Sequence, residues 1–352
     1  MKEERENDIM KTGKKLLCLL LLLAVLDVTY RFTVYPKDLR EHCTLIALSQ
    51  KAADEQADIV YLGESSNHTY SEQDHDRRSI CGMIQDRLPG HKVGELVKDA
   101  CHAGIYYDIL RNIPRDNNVK TVVVTVNMRS FSSEWRYSDL ETALREEQVF
   151  MEKAPALYKR FLLAFKGYPH WSEDERQKKI QKGFKQQTLK LPHYFPYRNA
   201  SEWDQAVSEC CCLYNGRKTT LDTVALTCHY IKDFAYQLNN RNPRVKDLDR
   251  IVKLCKRRNW TLILHILPDN IDQMGMLAGP ELVAIMHSNA QYIVNRYGNQ
   301  SVVVINNQDL VRDRHFRDRD FPTEHYDQTG RRAVAASILP YLSQEEITKF
   351  KK

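Results

Sequence analysis

The chain is predicted to be an α/β protein built on a parallel sheet, and three observations carry that expectation. Apolar, β-branched runs end abruptly in small-residue turns. Asp58-Ile59-Val60-Tyr61-Leu62 runs into Gly63-Glu64-Ser65-Ser66-Asn67, and Lys120-Thr121-Val122-Val123-Val124-Thr125-Val126 into Asn127-Met128-Arg129-Ser130. Such runs, short and without polar alternation, read as strands buried on both faces. Helix-period segments separate them at the spacing of βαβ units. The same alternation returns after residue 243, so the sheet resumes beyond an interruption.

In chain order, 58–62 is the first strand, and its turn leads into a helix over 71–88. A second strand at 92–97 precedes Asp99-Ala100-Cys101-His102-Ala103-Gly104, a small-residue turn that opens a helix over 105–112. The third strand, 120–126, is the clearest. From about 131 to 243 the pattern changes. Segments 140–165, 178–190 and 222–238 read as helices, Leu191-Pro192-His193-Tyr194-Phe195-Pro196-Tyr197 reads as an aromatic loop, and no strand is expected. This region is taken as a mostly helical insertion packed over the carboxyl edge of the sheet. Beyond it come a helix at 246–258, a buried strand within 260–268, and a helix at 280–297 with Pro280 in its first turn. A last strand at 301–305, a loop at 321–330 and a closing helix at 331–342 complete the order.

At 352 residues there is room for one large α/β domain with insertions, or for two domains. A charged fraction of 28% against 42% hydrophobic residues is globular rather than disordered. The net charge of +6 is spread among nearly as many acids as bases, with no basic stripe, so no nucleic-acid partner is expected. The nine cysteines contain no Cys-x-x-Cys spacing and match no zinc template. The run Cys210-Cys211-Cys212 could pair with Cys228 or Cys255 in an oxidising compartment, or these residues could be buried thiols.

Near the N-terminus, Lys11, Lys14 and Lys15 precede Leu16-Leu17-Cys18-Leu19-Leu20-Leu21-Leu22-Leu23-Ala24-Val25-Leu26. A positive flank before an apolar core is an export pattern, and the lysines place the N-terminus inside. Extended to Val34 the core reaches spanning length, with Asp27 and Arg31 near the outer interface. No small-x-small cleavage site follows the core, so an uncleaved anchor is expected over 1–35, a linker helix over 36–57, and an outer α/β domain over 58–345 with its insertion at about 131–243.

Four of these turns and loops carry a pattern. Gly63-Glu64-Ser65 after the first strand resembles the Gly-Asp-Ser block of the SGNH/GDSL hydrolase superfamily. Gly104 in the second turn matches the block-two glycine, Asn127 after the third strand the block-three asparagine, and His325, followed by Gly330, the block-five histidine. The four stand in the family's order. With the anchor and the insertion, the chain is most similar to the membrane-anchored extracytoplasmic branch, which includes the D-alanyl transfer protein of teichoic acid synthesis and the polysaccharide O-acetylation proteins. The resemblance implies a flavodoxin-like sheet of the SGNH type. Ser65 would be the nucleophile and His325 its base, with the Ser65 and Gly104 N–H groups and the Asn127 amide as oxyanion donors.

Three positions depart from the pattern. Thr125 stands where the block-three glycine is expected, Met128 where an aspartate follows the asparagine, and Pro322 where Asp-x-x-His has its acid. Since Pro322 cannot orient His325, the expected orienter is Asp320, with Glu324 or a bare Ser-His dyad as alternatives. The implied function is O-acyl transfer or deacylation on a cell-envelope carbohydrate through an acyl-Ser65 intermediate, outside a bacterial inner or cytoplasmic membrane, with no metal or organic cofactor. The implied partners are an envelope polysaccharide acceptor and a multi-span membrane acyltransferase that feeds acyl groups outward. Two rivals are an inactive carbohydrate-binding scaffold assisting such an acyltransferase, and a lipid or thioester hydrolase.

Overall fold

The computed structural model describes residues 2–185, 213–214, 217–218, 221–298 and 301–342. Three helices come first: α1 (Lys2–Thr33), α2 (Tyr35–His42) and α3 (Thr44–Asp54). The first half of the sheet follows as β1 (Ile59–Gly63), α4 (Ile80–Gln85), β2 (Val93–Val97), α5 (Ala103–Asn112) and β3 (Thr121–Val126). Next come α6 (Asp139–Met151), α7 (Ala156–Ala164), α8 (Glu173–Lys185) and α9 (Leu221–Phe234). The second half is α10 (Pro243–Arg258), β4 (Thr261–Ile266), α11 (Ile271–Ala278), α12 (Pro280–Tyr297), β5 (Val303–Asn306) and α13 (Gln328–Ile338).

The five strands pair in parallel throughout, in the order β2-β1-β3-β4-β5. This is a common doubly wound order, and its direction reverses between β1 and β3. Alternation along the strands divides their side chains between two faces. Ile59, Tyr61, Val123, Ile263, Val303 and Ile305 join one core cluster with residues of α4 and α13. On the chain, the intervening positions Val60, Leu62, Val122, Val124, Leu262 and Leu264 are also buried, and α5 packs on α10 with contacts to β3 and β4. A sheet covered on both sides explains why its strands read as continuous apolar runs.

The elements differ from expectation in four places. The helix expected over 71–88 is confined to α4, because residues 69–78 wrap as a loop around a buried arginine described below. An extra helix, α11, starts where the Asn270 side chain accepts a hydrogen bond from the Gln273 N–H, a cap hidden inside a polar stretch. A short antiparallel pair, Leu213–Tyr214 with Arg217–Lys218, occurs where no strand was expected. The linker helix expected over 36–57 is two helices, most of α2 and all of α3. The aromatic stretch 191–197 and Cys210-Cys211-Cys212 lie outside the described residues. Cys255 is a thiol, and burial pushes it up to about 12.

The chain divides into two compact units, residues 1–47 with 145–170, and 48–144 with 171–352. The sheet belongs to the second. In the first, α1 is long and apolar enough to cross a membrane over Asn7–Thr33, 27 residues where about 20 suffice. Residues 145–170 join this unit because their side chains and backbone complete it. Glu147 accepts hydrogen bonds from the Thr44 and Leu45 N–H groups at the start of α3, at 2.9 and 3.3 Å. Lys159 donates to the Phe150 carbonyl and the Tyr35 hydroxyl at 2.8 and 3.0 Å.

Candidate active site

Ser65 opens a single 3-10 turn, Ser65–Asn67, directly after β1. Gly63 lets the strand end there: a Cβ at this position would lie 2.8 Å from the Tyr61 ring and 3.3 Å from Val97. The turn is held both from within and from α4. Glu64 accepts from the Ser66 N–H at 3.2 Å, and the Asn67 Oδ1 accepts from the Cys81 N–H at 2.9 Å, tying the turn to α4. The Ser65 N–H lies at the start of the turn, where the first donors lack partners within it. Ser65 Oγ has two neighbours, His325 Nε2 at 2.8 Å and Glu64 Oε2 at 2.9 Å. One hydroxyl proton serves one of them at a time, so Glu64 competes with the histidine for it.

His325 reaches this point from a hairpin-like loop. Phe316 and Tyr326 form an antiparallel bridge, flanked by Arg317 N–H to the His325 carbonyl and Asp327 N–H to the His315 carbonyl, each 2.9 Å. The bridge turns residues 317–325 back on themselves, and His325 Nδ1 bonds to the Asp318 carboxylate. The Thr323 hydroxyl donates to the same Asp318 oxygen at 3.3 Å. The acid that faces the histidine is therefore Asp318, and the expectation of Asp320 is corrected. Asp320 is exposed in the turn. An antiparallel bridge places partners by register across the loop, which a search backward along the sequence does not follow.

Arg331, fully buried at the start of α13, fixes that loop. Its guanidinium donates to the carbonyls of Thr69 at 2.9 Å, Tyr326 at 2.9 Å, Asp76 at 2.5 Å and Arg78 at 3.2 Å, and pairs with Asp74 at 3.0 Å. Burial alone would raise the Asp74 carboxyl, but backbone donors from Ser71 and Gln328 and the Arg331 charge hold it below the usual range. One side chain thus joins the segment after Ser65 to the segment after His325. Its sequence signal is an arginine on the apolar stripe of a helix: Arg331, Val334, Ala335 and Ile338 share the buried face of α13. Gly330 beside it permits close packing, since a Cβ would lie 2.7 Å from Tyr326 Cβ.

Asn127 follows β3, on the other side of the topological reversal from Ser65. Its Oδ1 accepts from the Ser130 N–H at 3.3 Å, and its Nδ2 donates to Glu324 at 2.8 Å. An amide nitrogen carries two protons, so one such bond leaves a second donor. Glu324 also pairs with Arg129 at 2.7 Å, and the Arg129 guanidinium lies 4.3 Å from the centre of the Trp135 ring. Glu324 therefore serves Asn127 and Arg129 rather than His325. Burial opposes the Arg129 charge, but Glu324, Asp233 and Glu64 outweigh it and raise its pKa. Asp233, buried with one carboxylate oxygen unpartnered, is pushed well above the carboxylate range by that burial.

Gly104 departs from its expected use. Its N–H donates to His102 Nδ1 at 3.1 Å, as part of the cap of α5. His102 in turn meets Glu141 at 2.9 Å, and Glu141 meets Arg244 at 2.7 Å, a buried chain linking α5, α6 and α10. Thr125, in place of the family's glycine, pairs its hydroxyl with Tyr106 at 2.9 Å. Met128 is buried, and its carbonyl accepts from the Tyr236 hydroxyl at 2.5 Å. His265 lies inside the sheet, where Asn307 Nδ2 donates to its Nε2 at 2.8 Å. His68 pairs with Asp99 at 3.1 Å. From the insertion, the His229 ring of α9 packs 4.7 Å from that of Phe321 in the histidine loop. Among the described residues, no cluster of three or more His, Cys, Asp or Glu side chains could hold a metal ion.

A histidine linking a serine hydroxyl to a carboxylate, at the carboxyl edge of a parallel sheet, is a geometry that can serve proton transfer from a serine hydroxyl. No protein-family model matches the chain, and no curated protein matches it.

Proposed function

We propose that this chain is a membrane-anchored serine esterase or O-acyltransferase of the SGNH/GDSL type, acting outside the cytoplasm on a cell-envelope carbohydrate. The observation that carries the reading is the chain Ser65 Oγ–His325 Nε2, His325 Nδ1–Asp318. The strand order 2-1-3-4-5 suits a flavodoxin-like sheet, whose ligands sit at the reversal that Ser65 and Asn127 flank. The carbohydrate and a multi-span acyltransferase partner rest on the resemblance read from the sequence, and the outward orientation on Lys11, Lys14 and Lys15 before the apolar segment.

In this mechanism Ser65 Oγ gives its proton to His325 Nε2 as it attacks the acyl carbonyl. Asp318 holds the imidazole with Nδ1 protonated and stabilises the cation that forms. The developing oxyanion takes donors from the Ser65 N–H and the second Asn127 amide proton. His325 then protonates the departing alcohol. A sugar hydroxyl or water next loses its proton to His325 and attacks the acyl-serine carbonyl, and His325 returns that proton to Ser65 Oγ as its bond to the acyl carbon breaks. Glu64 favours a resting state in which the Ser65 proton points away from the histidine, so substrate binding must turn it.

The full chain in detergent should hydrolyse a small acetyl ester and take a fluorophosphonate label on Ser65, and Ser65→Ala should abolish both. Labelling that persists in Ser65→Ala, or that maps to Ser66, would remove the nucleophile assignment. An intact fold with neither activity nor label in the parent chain would favour the scaffold reading.

A further inference from the structure

We propose that α7 lies in the lipid–water interface beside the anchor, with its aromatic face in the bilayer. The inference rests on α1 spanning the membrane and is independent of the catalytic reading. Tyr158, Phe161, Leu162 and Phe165 fall at helical spacing along one stripe that extends just past the C-terminus of α7. Its aromatic members are exposed, by 53% at Tyr158, 44% at Phe161 and 80% at Phe165. Three exposed aromatics on so short a segment are unusual for a surface in water. The opposite side holds buried Ala156 and Lys159, and Arg160 approaches Asp38 at 3.9 Å. Polar contacts therefore bind one side of α7 to its own unit, and the apolar side remains outward.

Depth follows from Asp27. The N-cap position of α7 is Pro155, whose side chain supplies no cap, and the Leu157 N–H is taken instead by Asp27 Oδ1 at 2.7 Å. Asp27 precedes Val34, the outer end of the apolar segment, by seven residues, about 10 Å along a helix. The first turn of α7 is thereby fixed at the level of the outer part of the span. An isolated carboxylate there would be costly, and the positive end of α7 meets it. On α1 itself Val25, Val28 and Phe32 are exposed, Phe32 by 75%, so the apolar surface is shared by both helices. Aromatic rings at that depth match the composition of membrane-interface belts. The occupant that fits is lipid.

The test places the full chain in nanodiscs containing a diazirine-bearing phosphatidylcholine and maps adducts by peptide mass spectrometry. Adducts should appear within 155–165 as well as in α1, at least fivefold above the buried strand β3. Phe161→Ser with Phe165→Ser should remove the 155–165 adducts while leaving those in α1 and the ester hydrolysis unchanged. Adducts in α1 without any in 155–165 would overturn the proposal alone, including the case in which another protein covers that face. Adducts in neither would overturn the anchor reading with it.

Discussion

Ser65 and His325 meet at 2.8 Å, yet the regions that hold them are built in opposite ways. Ser65 is placed by local structure, the end of a buried strand and a turn three residues long. Its supports, Gly63, Glu64 and Asn67, all lie within two residues of it. His325 is placed by partners far away in the chain. Arg331 gathers carbonyls from Thr69, Asp76 and Arg78, about 250 residues earlier, and Asp318 arrives across an antiparallel bridge. The difference teaches where such a pair is vulnerable. A change near Ser65 alters a short turn within a fixed frame, whereas a change near His325 acts on whether the frame closes.

The largest effect should come from removing the hub of the second region. Arg331→Met leaves Asp74 buried without its partner and several carbonyls without a donor, and breaking a buried pair this way costs roughly 3–5 kcal/mol. Thermal unfolding should show that loss, and fluorophosphonate labelling of Ser65 should fall with it although the serine is untouched. Unchanged melting and labelling would mean that the two regions are not coupled through this side chain.

Next is the orienter. Asp318→Asn should lower the turnover of a small ester at least a hundredfold, toward the roughly ten-thousand-fold cost of an amide at such a position, with little change in melting temperature. Asp320→Asn, exposed in the same turn, should change turnover by less than twofold. Reversed results would restore Asp320 and break the hairpin account of the loop.

A smaller effect probes the sheet beneath both regions. His265, between Thr125 and Ile305 in the register of the sheet, is pulled down to about 3 by burial. The unfolded chain takes a proton on this residue near pH 6.5, while the folded chain does not until about 3. The unfolded state then binds more protons, so this contribution is complete above about pH 6.5. It is lost as pH falls toward 3, by at most about 1.4 kcal/mol per unit. A His265→Gln variant should therefore close on the parent in stability by about 2 kcal/mol between pH 7 and 4.5, measured by chemical denaturation. A constant difference between the two would show that His265 takes up its proton at the same pH in the folded and unfolded chains, and is not shifted by burial.

The sequence by itself determined the elements whose cause is local. Short apolar runs that end in small-residue turns, most plainly Thr121–Val126, read as strands buried on both faces, and helix-period segments between them imply a parallel sheet. Ser65 was legible because a glycine and a serine at a strand end are a local signal, and the apolar span of α1 because its length and composition suffice. The tertiary structure alone decided what depends on residues distant in the chain. Asp318 rather than Asp320 faces His325, because an antiparallel bridge sets partners across a loop. Residues 71–79 stay out of helix because Arg331 takes the carbonyls of Asp76 and Arg78, which a helix would use internally. The Gly104 N–H turns to His102, whose own position is fixed by Glu141 and Arg244 from two other helices. Local propensity follows from a few neighbouring residues, but a buried hydrogen-bonding group must be satisfied by whatever the fold brings to it, and that is written over the whole chain at once.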